Sequence, residues 1–173
     1  MKNIELKAKV NSMNSLRRRV KDIGAKKTEL MSQIDTYFAS KSGRLKLREI
    51  NGKEFVLIQY HRPDTASHKI SEFEILKLTK EQAGELKEML AETMGVQVVV
   101  AKKRELWMYG DTRIHIDTVK NLGNFMELES QIKHGEKKAR NEYDFLMKTL
   151  SLNGYEKINQ SYSDLLMQTS GRK

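Results

Sequence analysis

A chain of 173 residues with 38% hydrophobic and 32% charged residues is long enough to bury one substantial core and too apolar to be disordered. It contains no cysteine, which excludes disulfides, thiol catalysis and cysteine-ligated zinc, and no apolar run approaches the roughly 20 residues of a membrane span. The lack of a signal-peptide h-region makes a cytoplasmic location the default expectation. The formal charge of +9 points to a polyanionic partner: nucleic acid, a nucleotide or a polyphosphate.

Residues 3–10, NIELKAKV, alternate Asn3, Glu5, Lys7 and Lys9 with Ile4, Leu6, Ala8 and Val10, the period of a strand with one charged and one apolar face. A helix is predicted from Ser12 to Ile23, ending at Gly24 in the C-cap position, and its run Arg17, Arg18 and Arg19 reads as a solvated face. Strands follow at about 27–38, 43–50, 54–62 and 68–78, with Asn51-Gly52 as a hairpin turn. In GRLKLREI, Arg44, Lys46 and Arg48 stand against Leu45 and Leu47. Thr79 and Gln82 form a capping-box pattern that opens a helix with the stripe Ala83, Leu86, Leu90 and Met94, closed by Gly95. Strands return at about 96–109, 112–119 and 124–132. Lys102 and Arg104 share one parity, Arg113, His115 and Asp117 oppose Ile114 and Ile116, and Glu127 and Glu129 lie two apart. A helix from about Glu136 carries Ala139, Tyr143, Leu146, Met147 and Leu150 on one face and stops at Asn153-Gly154; a short helix spans Tyr162 to Gln168.

Eight strands joined by short connections predict an antiparallel sheet, and closing it into a barrel removes the edges. The expected fold is therefore α+β: one domain over residues 1–173, a closed eight-stranded antiparallel barrel over about 2–132 and C-terminal helices over about 136–168, with helices packed outside. Apolar helix stripes need the Ile/Leu/Val face of the sheet, which turns the charged face inward. Lys7, Lys9, Arg44, Lys46, Arg48, Arg62, Lys102, Arg104 and Arg113 then accompany Glu5, Asp117, Glu127 and Glu129 in the interior. Such a cationic surplus needs water and a bound polyanion, and a triphosphate of about four negative charges suits it.

The ordered motifs NIELKAKV, GRLKLREI, YHRPD, KKREL, RIHIDTVKNLG and FMELE, from residue 3 to about 130, resemble the CYTH or triphosphate tunnel metalloenzyme superfamily. SYSDLL near the C-terminus adds weaker support. The wording NIELKAK, QIDTYF, RIHIDTV and LGNFMELE is most similar to the class IV adenylate cyclase-like members. The resemblance implies a tunnel in which basic side chains grip a triphosphate and acidic ones hold Mg²⁺ or Mn²⁺. By position, the metal ligands are Glu5, Asp117, Glu127 and Glu129, with Asn3 as a weak, uncharged substitute where most members have Glu. The triphosphate cations implied are Lys7, Lys46, Arg48, Arg62, Lys102 and Arg104, beside which parity sets Lys9, Arg44 and Arg113. Lys69 and Ser71 fall where cyclase-like relatives approach the nucleoside.

The implied chemistry is an ATP-to-cyclic-AMP cyclase releasing pyrophosphate, with hydrolysis of inorganic, thiamine or nucleoside triphosphate and non-catalytic polyphosphate binding as alternatives. The partner is accordingly ATP or inorganic triphosphate rather than nucleic acid or a membrane, and the resemblance allows a homodimer. Lys7 and Lys102, crowded by cations, are candidate bases, although phosphate binding is the simpler role for both. His115 reads as a hydrogen-bonded structural residue, and His61, His68 and His134 as surface positions. Trp107 and Tyr109 read as outer-wall packing in preference to base stacking.

Overall fold

The structure is a computed structural model that describes residues 3–60 and 73–170. Its strands are β1 (Asn3–Lys9), β2 (Lys26–Phe38), β3 (Arg44–Ile50), β4 (Glu54–Tyr60), β5 (Phe73–Leu78), β6 (Val96–Tyr109), β7 (Thr112–Val119) and β8 (Gly123–Gln131), and its helices α1 (Met13–Asp22), α2 (Lys80–Met94), α3 (Glu136–Thr149) and α4 (Tyr162–Ser170). A 3₁₀ turn at Leu152–Gly154 is additional to the elements expected. All eight strands form one antiparallel sheet in the order β1-β8-β7-β6-β2-β3-β4-β5. The expected eight-stranded antiparallel architecture is present, with one difference: among the described residues, β1 and β5 end the hydrogen-bonded order, so backbone pairing does not close the ring.

The chain divides into two compact units, the first Met1–Met31 with Lys103–Ser161, the second Ser32–Lys102 with Tyr162–Lys173; β2 and β6 contribute to both. In the first unit, Leu6 and Ala8 of β1, Trp107 of β6, Ile114 and Ile116 of β7, and Met126 and Leu128 of β8 pack with Leu16 and Val20 of α1 and Leu146 and Met147 of α3. Ile114, Ile116, Met126 and Leu128 are at most 1% exposed, and burial of each such side chain contributes about 1.5–3 kcal/mol. The second unit repeats the scheme: Phe38, Leu47 and Phe55 pack with Ala83, and Leu90, Ala91 and Met94 of α2 join them. In both units the aliphatic faces of the strands lie under helices, which leaves the opposite faces to the charged residues.

Local signals account for the element ends. Asn51 (φ 54°) and Gly52 (φ 63°) both take the left-handed conformation of a type I′ turn, closed by the Lys53 N–H donating to the Ile50 carbonyl at 3.0 Å. Helix α1 ends in a Schellman arrangement, with Gly24 at φ 82° and the Ala25 N–H donating to the Val20 carbonyl. The α1 arginines depart from the expected solvated face: Arg17 bonds Glu105, and Arg19 bonds the Leu150 carbonyl and the Tyr155 hydroxyl, so two of the three anchor the helix. The Thr79 hydroxyl accepts from the Gln82 N–H while the Gln82 side chain accepts from the Thr79 N–H, completing the capping box of α2. Thr79→Ala is expected to destabilise the protein by about 1 kcal/mol in urea unfolding, with activity unchanged.

Candidate active site

In the first unit, strand register sets charges in rows on the face opposite the core. Lys7 of β1 lies opposite Glu127 of β8, which lies opposite His115 of β7; Glu5 lies opposite Glu129, which lies opposite Arg113. Arg104 of β6 ties the acids together. Its Nε and Nη2 donate to the two oxygens of Asp117 at 2.7 and 2.6 Å, and Nη2 also reaches Glu127 Oε2 at 2.5 Å. The other Glu127 oxygen lies 3.2 Å from Lys7 Nζ, which also donates to the Gln160 carbonyl at 3.1 Å. Asp117 is fully buried, so a two-pronged guanidinium contact is the partner its charge requires.

Arg113 lies 3.5 Å and His115 Nε2 3.4 Å from the same Glu129 oxygen. Burial pushes the Glu129 carboxyl up, but its contact with His115 and the nearby Arg104 guanidinium outweigh burial and hold it below the usual range. It therefore stays ionised at neutral pH. His115 is buried, and its Nε2 contact with Glu129 is longer than an ideal hydrogen bond.

The donor chemistry suits a hard divalent cation. Glu5 and Glu129 sit directly opposite each other, two carboxylates in register positions from which one cation could be shared. On the same face, the Asn3 Oδ1 is buried and has no hydrogen-bond partner among the described residues. Carboxylate and amide oxygens are what Mg²⁺ or Mn²⁺ prefer. Among the described residues no three carboxylate or imidazole side chains already converge at metal-binding distance, and Asp117 and Glu127 are engaged by Arg104 and Lys7.

The second unit also holds a cationic cluster. Asp35 of β2 lies opposite Arg48 of β3 and accepts from Arg48 Nε at 2.8 Å, Arg48 Nη2 at 2.7 Å, Lys46 Nζ at 2.9 Å and Gln33 Nε2 at 3.1 Å. Lys46 Nζ also lies 5.3 Å and 5.6 Å from the ring centroids of Tyr37 and Tyr60, within cation–π range. Burial raises the Asp35 carboxyl, but Arg48 and Lys46 overcome it and hold Asp35 far below its ordinary range. Burial lowers the Lys46 ammonium, with Asp35 opposing that shift and Arg48 adding to it. Arg44 donates to Asp164 at 2.8 Å and Ser163 at 3.3 Å, both on α4, and Lys102 Nζ lies 5.0 Å from the Tyr162 ring centroid.

Comparison with known proteins places this geometry. The CYTH domain profile matches residues 1–162. The chain belongs to the CYTH family. A curated relative, the Methanocaldococcus jannaschii protein MJ0240, which carries an adenylate cyclase name, is 27% identical, with 94% of this chain and 97% of that one covered. Solved structures share the fold, among them the following two. The PH1012 protein from Pyrococcus horikoshii OT3 has 23% identity and a TM-score of 0.73, covering 94% of this chain and 98% of its own. A Hippeastrum protein, HpAC1, described as an adenylyl cyclase with a dominant triphosphatase activity, has 13% identity and a TM-score of 0.69, covering 97% of this chain and 96% of its own.

Of the site residues expected, Lys7, Arg104, Arg113, Asp117, Glu127 and Glu129 come together in the first unit; in the second, Lys46 and Arg48 share Asp35 while Arg44 pairs with Asp164. Lys102 is buried against Tyr162. Lys9 is exposed: its register partner is Phe125 rather than an acid, so its ammonium remains in water. Glu5 is exposed at the margin of the acidic set. Arg62, Lys69 and Ser71, together with His61 and His68, lie outside the described residues. Trp107 packs in the first unit's core and Tyr109 stacks on Phe145 at 5.4 Å, as expected of outer-wall residues.

Asp35, Tyr37, Tyr60 and Asp164 were not singled out by the sequence reading. The signal for two of them lay in QIDTYF, where Gln33, Asp35 and Tyr37 share a parity and are all buried.

Proposed function

We propose that this CYTH chain is a divalent-metal-dependent enzyme acting on a triphosphate, with ATP-to-cyclic-AMP conversion as its leading reaction. The observation that carries this reading is the Arg104 clamp, which holds Asp117 and Glu127 on a charged strand face beside Lys7 and Glu129, on the side away from the helices. Glu129, Glu127 and Glu5, with Asn3 and Asp117, are the residues that would hold Mg²⁺ or Mn²⁺, and such a cation would stabilise negative charge on phosphate oxygens. Lys7, Arg104, Arg113, Lys46, Arg48, Arg44 and Lys102 bind and align phosphate oxygens in this reading, as preorganised cations do in phosphoryl transfer.

In the cyclase reaction the ribose 3′ oxygen bonds to the α-phosphorus, its proton is lost and pyrophosphate leaves. In the alternative reaction, water attacks a terminal phosphorus and orthophosphate leaves. The second reading is favoured by the fold shared with the Hippeastrum protein that is described as dominantly a triphosphatase. The contacts of Lys7 with Glu127 and of Lys102 with Tyr162 suit phosphate-binding donors better than general bases.

Purified protein given ATP with Mg²⁺ or Mn²⁺ is expected to form cyclic AMP and pyrophosphate, separable by chromatography from ADP and phosphate, and chelation by EDTA is expected to stop turnover. Formation of ADP and phosphate alone would transfer the proposal to hydrolysis. No turnover of ATP, thiamine triphosphate or inorganic triphosphate with either metal would sink the enzymatic reading.

A further inference from the structure

We infer that Asp35 is a positioning residue that fixes Lys46 and Arg48 for a phosphate group, an assignment that rests on the triphosphate reading above. Side-chain exposure rises from 5% for Asp35 to 9% for Lys46 and 26% for Arg48. The acid therefore lies beneath and the cations above it, nearer solvent. Both carboxylate oxygens are spent on cations of β3, with Gln33 completing the contacts to Oδ1. Asp35 is too buried to reach a substrate itself, and it acts on whatever Lys46 and Arg48 bind.

The groups facing Lys46 are Asp35 and Tyr37 from β2, Arg48 from its own strand and Tyr60 from β4. Burial and Arg48 favour the neutral amine, whereas Asp35 is the nearby anion that opposes them. Without Asp35, the lysine would lose its proton at a lower pH and its attraction for phosphate with it. Asp35 also pins the Arg48 guanidinium through two nitrogens, which removes the rotamer freedom that phosphate binding would otherwise have to quench.

Isothermal titration with inorganic tripolyphosphate from pH 6.5 to 9 tests this in wild type, Asp35→Asn, Asp35→Glu, Lys46→Met and the double variant. Relative to wild type, Asp35→Asn is expected to bind more weakly, the deficit growing with pH by up to about tenfold per unit above the lysine's new pKa. Asp35→Glu should recover part of the loss, and the added pH slope should vanish in the Lys46→Met background. Tighter binding by Asp35→Asn at every pH would make Asp35 a competing anion and overturn the role. A lower melting temperature with unchanged affinity and slope would make it a packing residue and overturn the role too.

Failure of wild type to bind tripolyphosphate would overturn the triphosphate reading and this role with it, whereas wild-type binding beside an unaltered Asp35→Asn sinks the role alone. Should Asp35→Asn not fold, the Lys46 Nζ resonance of wild type carries the test. A signal that remains that of an ammonium at pH 8 and moves on adding tripolyphosphate supports the role; a neutral amine, or a signal that does not move, overturns it.

Discussion

Replacing Glu127 and Glu129 together with Gln is expected to lower metal-dependent turnover by on the order of 10³-fold or more, because two of the oxygen donors that would hold the cation lose their charge in one step. Binding of the triphosphate should survive. Glu127 neutralises both Lys7 and Arg104, and Glu129 contacts Arg113, so the substitutions leave three cations with less internal competition for phosphate. Calorimetry with tripolyphosphate in EDTA is therefore expected to give an affinity equal to or tighter than that of wild type, while the cyclic AMP and phosphate assays fall to background. Turnover persisting in the double variant would place the metal elsewhere, and loss of binding would show that the two acids shape the phosphate site itself.

The largest effect on stability should come from Arg104. Arg104→Met keeps most of the side-chain volume but removes both guanidinium contacts from a carboxylate that is 0% exposed. Depriving a buried acid of its main counter-charge costs about 3–5 kcal/mol, which urea unfolding at pH 7 would report as a fall in the midpoint without a change in slope. Adding Asp117→Asn to the variant should recover a large part of the loss, since a neutral amide needs no cation, and the coupling in that cycle isolates the pair. A loss below about 1 kcal/mol, the value of an exposed ion pair, would show the contact to be incidental. Catalysis should be lost in both variants, because Arg104 is also a proposed phosphate ligand.

Period-two alternation was enough to read both strand faces correctly, since Leu6, Ile114, Ile116 and Leu128 pack under helices and Lys7, Asp117 and Glu127 do not. The Asn51-Gly52 turn and the Thr79/Gln82 box were legible because their geometry is dictated within four residues. What one strand's pattern could not supply was which charge meets which. Lys9 and Lys7 look equivalent in NIELKAKV, yet pairing with β8 sets one against Phe125 and the other against Glu127. Asp35 escaped notice for the same reason: its meaning depends on β3 lying alongside β2 in a register that brings Arg48 opposite it. Likewise, Arg17 and Arg19 look solvated on a helical projection, and only the packed chain supplies Glu105 and the Leu150 carbonyl as their acceptors.

Trp107, the chain's single tryptophan, belongs to the core of the first unit. Indole fluorescence is thus a private witness to that unit, blind to the loosening of the Phe38, Leu47 and Phe55 cluster. Far-ultraviolet circular dichroism averages both, and laying the two melting curves over each other tells directly whether the halves of this chain come apart as one cooperative body or in sequence.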